Sequence, residues 1–395
     1  MFRCVSVLVL IGLCFTLAGC SNQTSVMAPV VKRSKDHVPD HSSPLEKIPT
    51  LEVADQILKN TVSVISGEVN STYSRTLDGL SEILSHSQMR LRPIASQGPL
   101  QDLLSLLHRT DIDTAIVQAD ALEGLEGYVQ AAARERLRYL FQVSSKAVHI
   151  LAPRDITHIR QLQGRKVNID RPGSGTHLTA SVMFAKIGIK PEFTTYDQDT
   201  AYERLQSGEI QASILVASHP STDVLAFPSS GRFHLLPIAL EDGASHYRAG
   251  QFTADEYPHL IEMGQQVGTI EVGRILAVRD WPEGSIRYRK LKRLAEVIDT
   301  YLDESKQSGQ DFQQGNINLQ PESGWQRFEP AQTLLDKRAQ QADEQRAFER
   351  LIVASGVCST PISTALRERL YQDFIGWQRA REKITPSPTS GSQLD

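Results

Sequence analysis

Short apolar runs alternate along this chain with stretches in which apolar residues recur every three or four positions. Val62-Ser-Val-Ile65, Leu91-Arg-Pro-Ile94 and Ile112-Asp-Thr-Ala-Ile-Val117 read as three strands. Between them, Leu77, Leu80, Ile83 and Leu84 mark one helix face. The turn Ala95-Ser-Gln-Gly-Pro99 leads into an apolar helix from Leu100 to Leu107. Strands and helices alternating at this period predict βαβ units and a parallel sheet. Arg136 to Phe141 and Ala147 to Leu151 read as two further strands, the second leading towards a hinge, and Asp155 to Leu162 as a short helix. A second series follows. It runs through a strand from Lys166 to Asp170, the turn Pro172-Gly-Ser-Gly-Thr176, a helix from about His177 and a strand from Phe193 to Tyr196. A helix from Asp199 to Leu205, ended by Gly208, precedes strands Glu209 to Val216 and Phe233 to Ile238. Thr269 to Val272 and Arg274 to Val278 return as strands, and Leu291 to Asp303 is an amphipathic helix. Two βα series with the chain crossing back give the plan of an α/β, two-lobed, hinged binding protein. In such sheets the ligand lies beyond the carboxyl ends of the strands.

The ends of the chain follow another pattern. Met1-Phe-Arg3 is a short positive segment, and Val5 to Leu17 is apolar but short for a membrane span. It closes on Leu17-Ala-Gly-Cys20, which resembles the bacterial lipoprotein signal. That resemblance implies cleavage before Cys20 and lipidation of Cys20, with the chain anchored on the periplasmic face of a bacterial membrane. Ser21 after the cysteine leans towards the outer membrane. The expected organisation is a signal peptide over 1–19 and a flexible, proline-bearing tether over 20–50. Lobe 1 covers 51–154, lobe 2 covers 155–268, and 269–330 return to lobe 1. Residues 331–384 read as a polar helical extension broken near Gly356 and Pro361, and 385–395 as a disordered tail.

Composition narrows the function. Of 395 residues, 42 are Lys or Arg and 46 Asp or Glu, a net charge of -4, with no basic stripe for nucleic acid. Cys4 and Cys14 would leave with the signal and Cys20 would carry lipid, so Cys358 has no bridging partner and reads as a small buried residue. No His, Cys or Asp cluster has metal spacing, and no cofactor is called for. Gly-x-Ser-x-Gly elbows and paired catalytic carboxylates are also missing, so an enzyme is not expected. Trp281, Trp325 and Trp377 read as packing residues, and His219 as a hydrogen-bonded structural histidine.

The Gly-rich turn before the second-lobe helix carries the main candidate chemistry. Its glycines allow a sharp bend and a close approach. A helix N-terminus offers unpaired N–H groups to an anion. Gly173, Ser174, Gly175 and Thr176 are therefore candidate ligand residues, and capping is the plainer use of Ser174 and Thr176. Ser71, Thr72 and Tyr73 follow the first strand and supply further donors; Tyr73 reads equally as ligand stacking or interlobe packing. Gln118 and Asp120 follow the third strand, for ligand contact or for fixing the strand end. Arg171 is a candidate cation for an anionic solute, or a surface residue.

Taken in order, several motifs resemble one family over about residues 60–330. They are Ser66-Gly67 to Tyr73, the Gly98 turn, Val117-Gln-Ala-Asp120, Leu162-Gln-Gly-Arg-Lys-Val167, Pro172-Gly-Ser-Gly-Thr176, Leu205-Gln-Ser-Gly-Glu-Ile-Gln-Ala212 and His219-Pro220. Together they resemble the TAXI family, the solute-binding subunits of tripartite ATP-independent periplasmic (TRAP) transporters. The resemblance implies a type 2 periplasmic-binding-protein fold that closes over a small organic anion, a dicarboxylate or an amino acid, and then docks on TRAP membrane permease subunits. The chain departs from the family pattern at Glu68-Val-Asn70, where glycines are usual, and at Ser96-Gln-Gly-Pro99. The extension after 331 is not part of the family core. A lipoprotein that uses the same fold for sensing or partner binding is the alternative.

Overall fold

The computed structural model describes residues 51–67, 73–228, 231–240, 247–308, 317, 319–354 and 363–384. Ser71, Thr72, the expected signal, tether, Cys20 and tail, and the expected helix break near Gly356 and Pro361 with Cys358, lie outside them.

Helix α1 (Leu51–Asn60) leads into β1 (Thr61–Ser66), which is followed by α2 (Tyr73–Ser85), β2 (Arg90–Ala95), α3 (Pro99–His108) and β3 (Thr114–Gln118). β1 pairs in parallel with both β2 and β3. A 3-10 turn over 119–124 and α4 (Gly127–Arg136) lead to β4 (Leu137–Pro153). The second lobe holds β5 (Lys166–Asn168), α5 (Gly175–Ile187), β6 (Glu192–Thr194), α6 (Gln198–Ser207) and β7 (Ala212–Ala217). It continues with α7 (Thr222–Leu225), β8 (Phe233–Leu235) and β9 (Arg248–Thr253). β10 (Gln266–Arg279) returns to lobe 1, followed by α8 (Ile286–Ser308), α9 (Glu329–Ala354) and α10 (Thr364–Ile384).

β4 and β10 make one molecule of two lobes. They have 17 and 14 residues and run antiparallel along most of their length. At roughly 3.3 Å per residue, β4 is long enough to serve both lobes. The sheet order is β2-β1-β3-β10-β4-β7-β5-β6, with β8 on β4 and β9 on β10. Each lobe carries core on both faces of this sheet. In lobe 1, Val64, Ile116, Leu140 and Leu276 pack with α2 and α8, while Ile65, Val117 and Ile275 pack with α3. In lobe 2, Val148, Ile150 and Ile214 pack with α5, while Ala147 and Leu151 pack with α6. This is the two-lobed type 2 periplasmic-binding arrangement, with helices added at the carboxyl end.

Several sequence expectations change. The two strands expected on either side of Ser144-Ser145-Lys146 are one strand, as are the two expected around Gly273. Polar residues at these points mimic a break, but the ladder continues through them with register shifts at Arg274/Ile275 and Ile275/Ala277. The helix expected from Asp155 to Leu162 is only a 3-10 turn over Ile159–Leu162. The strand from Phe233 stops at Leu235. α4 and β9 were not expected, because their apolar residues are few and lack a clean period. Trp377 is half exposed and stacks on Phe374. Trp325 meets the packing expectation, donating from Nε1 to the Ala119 carbonyl at 2.7 Å.

Candidate functional site

The hinge strands form a polar floor between the lobes. Gln118 on β3 lies opposite Arg274 on β10, and Arg274 lies opposite Ser144 on β4. Residues paired directly across a sheet point to the same side. Register is unbroken from Arg274–Ser144 to Val272–Lys146, so Lys146 points to that side too. Arg274 reaches α2, where Nη1 donates to Thr76 Oγ1 at 3.3 Å. Arg274 is 2% exposed and Lys146 8%. Burial, and then the charge of Arg274, bring the Lys146 ammonium down to about 7. Asp102, in the first turn of α3, is fully buried; burial pushes it up to about 7, and the Ser96 hydroxyl and Arg274 pull against that rise. Ser66 Oγ, Gln118 Oε1 and Ser144 Oγ are buried with no hydrogen-bond partner among the described residues. Each such group costs about 1–3 kcal/mol, so their gathering on one floor calls for a polar guest.

The two lobes touch above this floor. Gln118 Nε2 donates to the Gly175 carbonyl at 3.1 Å and to Thr179 Oγ1 at 2.8 Å. Gly98 approaches Gly173 so closely that a Cβ on Gly98 would overlap the Gly173 carbonyl oxygen. A Cβ on Gly175 would likewise overlap Gln118 Oε1. Leu178 and Val182 of α5 sit in the lobe 1 core beside Leu122 and Leu125. Tyr247, before β9, donates to Asp120 Oδ2 at 3.0 Å. Burial pushes Asp120 up to about 6 against the pull of the Thr179 and Tyr247 hydroxyls. Burial and then Asp120 raise Tyr247 above its ordinary range. Arg248 pairs with Glu322 at 3.4 Å, and Lys186 with Glu123 at 3.9 Å. A cavity of about 30 Å³ lies among Asp120, Tyr247, Glu271 and Glu322, space on the scale of a water molecule.

The residues anticipated from sequence divide by role. Ser174 caps α5: its Oγ accepts from His177 N at 3.1 Å. Thr176 is buried, and its Oγ1 accepts from Val216 N at 3.0 Å, tying α5 to β7. Gly173 (φ 87) and Gly175 supply the backbone that meets lobe 1. Gln118 and Asp120 join the lobes. The Arg171 side chain is 62% exposed and lies 3.9 Å from Asp170. Tyr73 opens α2, but its side chain, like Ser71 and Thr72, is outside the described part. Sequence reasoning missed Lys146, Arg274, Ser66, Ser144 and Tyr247. A lone cation inside an apolar strand, in Ser-Lys-Ala-Val and Gly-Arg-Ile-Leu, was the readable signal. Among the described residues no group of three or more His, Cys, Asp or Glu is placed to hold a metal.

Comparison with solved structures finds distant likenesses. XAC2383 from Xanthomonas citri, bound to ATP, is 12% identical, with a TM-score of 0.39 over 82% of this chain and 100% of that one. The effector-binding domain of QuiR in complex with shikimate is 10% identical, with a TM-score of 0.35 over 60% of this chain and 94% of that one. The CcmR regulatory domain from Synechocystis PCC6803, in complex with 2-PG, is 13% identical, with a TM-score of 0.32 over 60% and 96%. The sequence pattern of the NMT1-like family matches residues 67–292, more than half of the chain, and the protein therefore belongs to the NMT1-like family.

Proposed function

We propose that this chain is the solute receptor of a TRAP-type transporter of the TAXI kind, a lipoprotein held by Cys20 on the periplasmic face of a bacterial membrane. It captures a small organic anion, a dicarboxylate or an amino acid, by closing its lobes around the hinge, and presents it to the permease subunits. The observation that carries this reading is the buried floor of Gln118, Arg274, Ser144 and Lys146, roofed by turns from opposite lobes. Cations supply charge for a carboxylate, and hydroxyls and an amide oxygen supply hydrogen bonds. Closure excludes water and strengthens these contacts, and opening releases the solute.

Thermal-shift screening of the full chain in detergent, against succinate, L-glutamate, (S)-lactate, L-alanine and their amides, tests the reading. A ligand that binds only the folded state raises the melting temperature. A dose-dependent rise with at least one of these compounds is expected. No response to any of them would sink the receptor reading. Mass spectrometry of the mature amino terminus tests the anchor separately: a diacylglyceryl group on Cys20 is expected, and an unmodified cysteine would refute it.

A second reading has its own observation. α9 and α10 form a hairpin closed by Phe348, Tyr371, Phe374 and Ile375, while Leu351, Val353, Leu366 and Trp377 are about half exposed or more. A receptor that signals to a partner through this hairpin would need such a surface.

A further inference from the structure

The hinge floor places two basic side chains on one side of one strand pair. Ser144, Lys146, Val272 and Arg274 share a face, because Ser144 pairs with Arg274 and Lys146 with Val272 in unbroken register. Lys146 and Arg274 are thus diagonal neighbours, and both are buried. Like charges held this close, away from water, disfavour each other's ionised form. Arginine keeps its proton in any protein setting, so the lysine must yield. Two carboxylates among the described residues lie beside the pair or its strand neighbours, Asp102 and Glu271. Asp102 of α3 acts on Arg274 and sits near the midpoint of its own titration around neutrality. Glu271, the neighbour of Val272 on β10, alternates to the other face and is engaged by His219 at 3.5 Å. Ser66, Gln118 and Ser144 contribute to the same floor oxygens that have no hydrogen-bond partner among the described residues.

We propose that Lys146 and Arg274 together hold the anionic group of the solute, and that Lys146 takes up a proton as the anion enters. The inference rests on the solute-receptor reading and gives that site its charge-reading residues and a proton linkage. An anion between the two cations removes the reason for Lys146 to be neutral, so the bound form keeps the proton to higher pH than the free form. Between those two limits, capture binds one proton, and affinity falls as pH rises from about 7. An anion near Asp102 also raises the proton affinity of that carboxyl, so both groups act with the same sign: capture favoured in acid, release favoured in base.

Isothermal titration of the full chain in detergent, with each of the four carboxylates above and with their amides, is the test. For the best-binding carboxylate, affinity should fall by up to about tenfold per pH unit above pH 7. Its binding heat should differ between HEPES and Tris at pH 7.5 in the sense of proton uptake. Lys146→Met should flatten the pH slope, leaving only the share that Asp102 contributes, and weaken binding about thirtyfold or more. The same variant should raise the melting temperature of the ligand-free chain below pH 7, since it deletes a disfavoured buried charge. A merely structural lysine would give the opposite sign. Arg274→Gln should abolish carboxylate binding, and Arg274→Lys should recover part of it. Carboxylate binding that is equal at pH 6.5 and 8.5, or unchanged in Lys146→Met, overturns the inference and leaves the receptor reading standing. So does an amide that binds as well as its acid. Silence of the wild-type chain with every compound overturns both.

Discussion

His219 lies between two carboxylates that the sequence keeps far from it. Its Nδ1 is 2.7 Å from Glu256 and its Nε2 is 3.5 Å from Glu271. The hydrogen bond with Glu271, then that with Glu256, raises the imidazole to about 9 against the opposing effect of burial. Between about pH 6.5 and 9 the folded state therefore holds a proton that the unfolded chain gives up. The stabilisation is fully present below pH 6.5 and is lost as pH rises through about 9. His219→Gln should lower the melting temperature at pH 6, by an amount worth about 1 kcal/mol once solvent screening is allowed for. The gap to wild type should close between pH 7 and 9 in a pH series of thermal melts. A gap independent of pH would mean that packing of the ring against Phe252, rather than its charge, sets its contribution. The sequence reading identified His219 as a hydrogen-bonded structural residue. It could not supply Glu256 and Glu271, whose approach depends on β9 and the far half of β10. The same limit hid the floor. Lys146 and Arg274 stand 128 positions apart, and only the register of two long strands brings them together.

At the scale of elements, the turn before α5 was legible because its chemistry is local. Ser174 is the N-cap and Gly188 (φ 77) ends the helix, both readable from residue type and spacing. What the turn touches was not legible. Gly173 faces Gly98, the residue that opens α3 with φ 143, a backbone region that favours glycine. Gly98→Ala would carry both backbone strain and a Cβ in the space of the Gly173 carbonyl oxygen. The lobes of this variant should stop short of the observed contact. Small-angle scattering should give a larger radius of gyration than wild type in the presence of a bound carboxylate, with a weaker thermal shift. Equal compaction in both proteins would show that the two turns can slide past each other at little cost. The hinge strands were the main misreading at this scale. A polar stretch such as Ser144-Ser145-Lys146 looks like a boundary when strands are judged by continuous apolar runs. Here it is the polar middle of one strand, and the hydrogen-bond ladder on either side keeps it extended.

At the scale of the molecule, the two-lobe plan followed from the βα alternation and its repeat, whereas the place of the carboxyl-terminal helices did not. Phe328 N donates to the Tyr139 carbonyl at 2.8 Å, and Tyr139 N to the Gln326 carbonyl at 3.1 Å, so this segment lies along β4. Phe328 and Ala331 are fully buried in the core that α2 and α8 share. Beyond them α9 runs beside α8, with Arg338 bound by Asp299 and Asp303. α10 folds back onto α9 through Phe348, Tyr371 and Phe374. The first turn of α9 therefore belongs to lobe 1, while α10 packs on α9. Chains stopped after Ala354 and after Trp325 should behave differently. The first loses α10 and should melt within a few degrees of wild type with its carboxylate response intact. The second loses Phe328 from a closed core, which costs about 3–5 kcal/mol, and should melt far lower or fail to fold. If stopping after Ala354 instead abolishes the carboxylate response while leaving the melt unchanged, the hairpin takes part in capture. A retained response would leave the hairpin outside ligand binding.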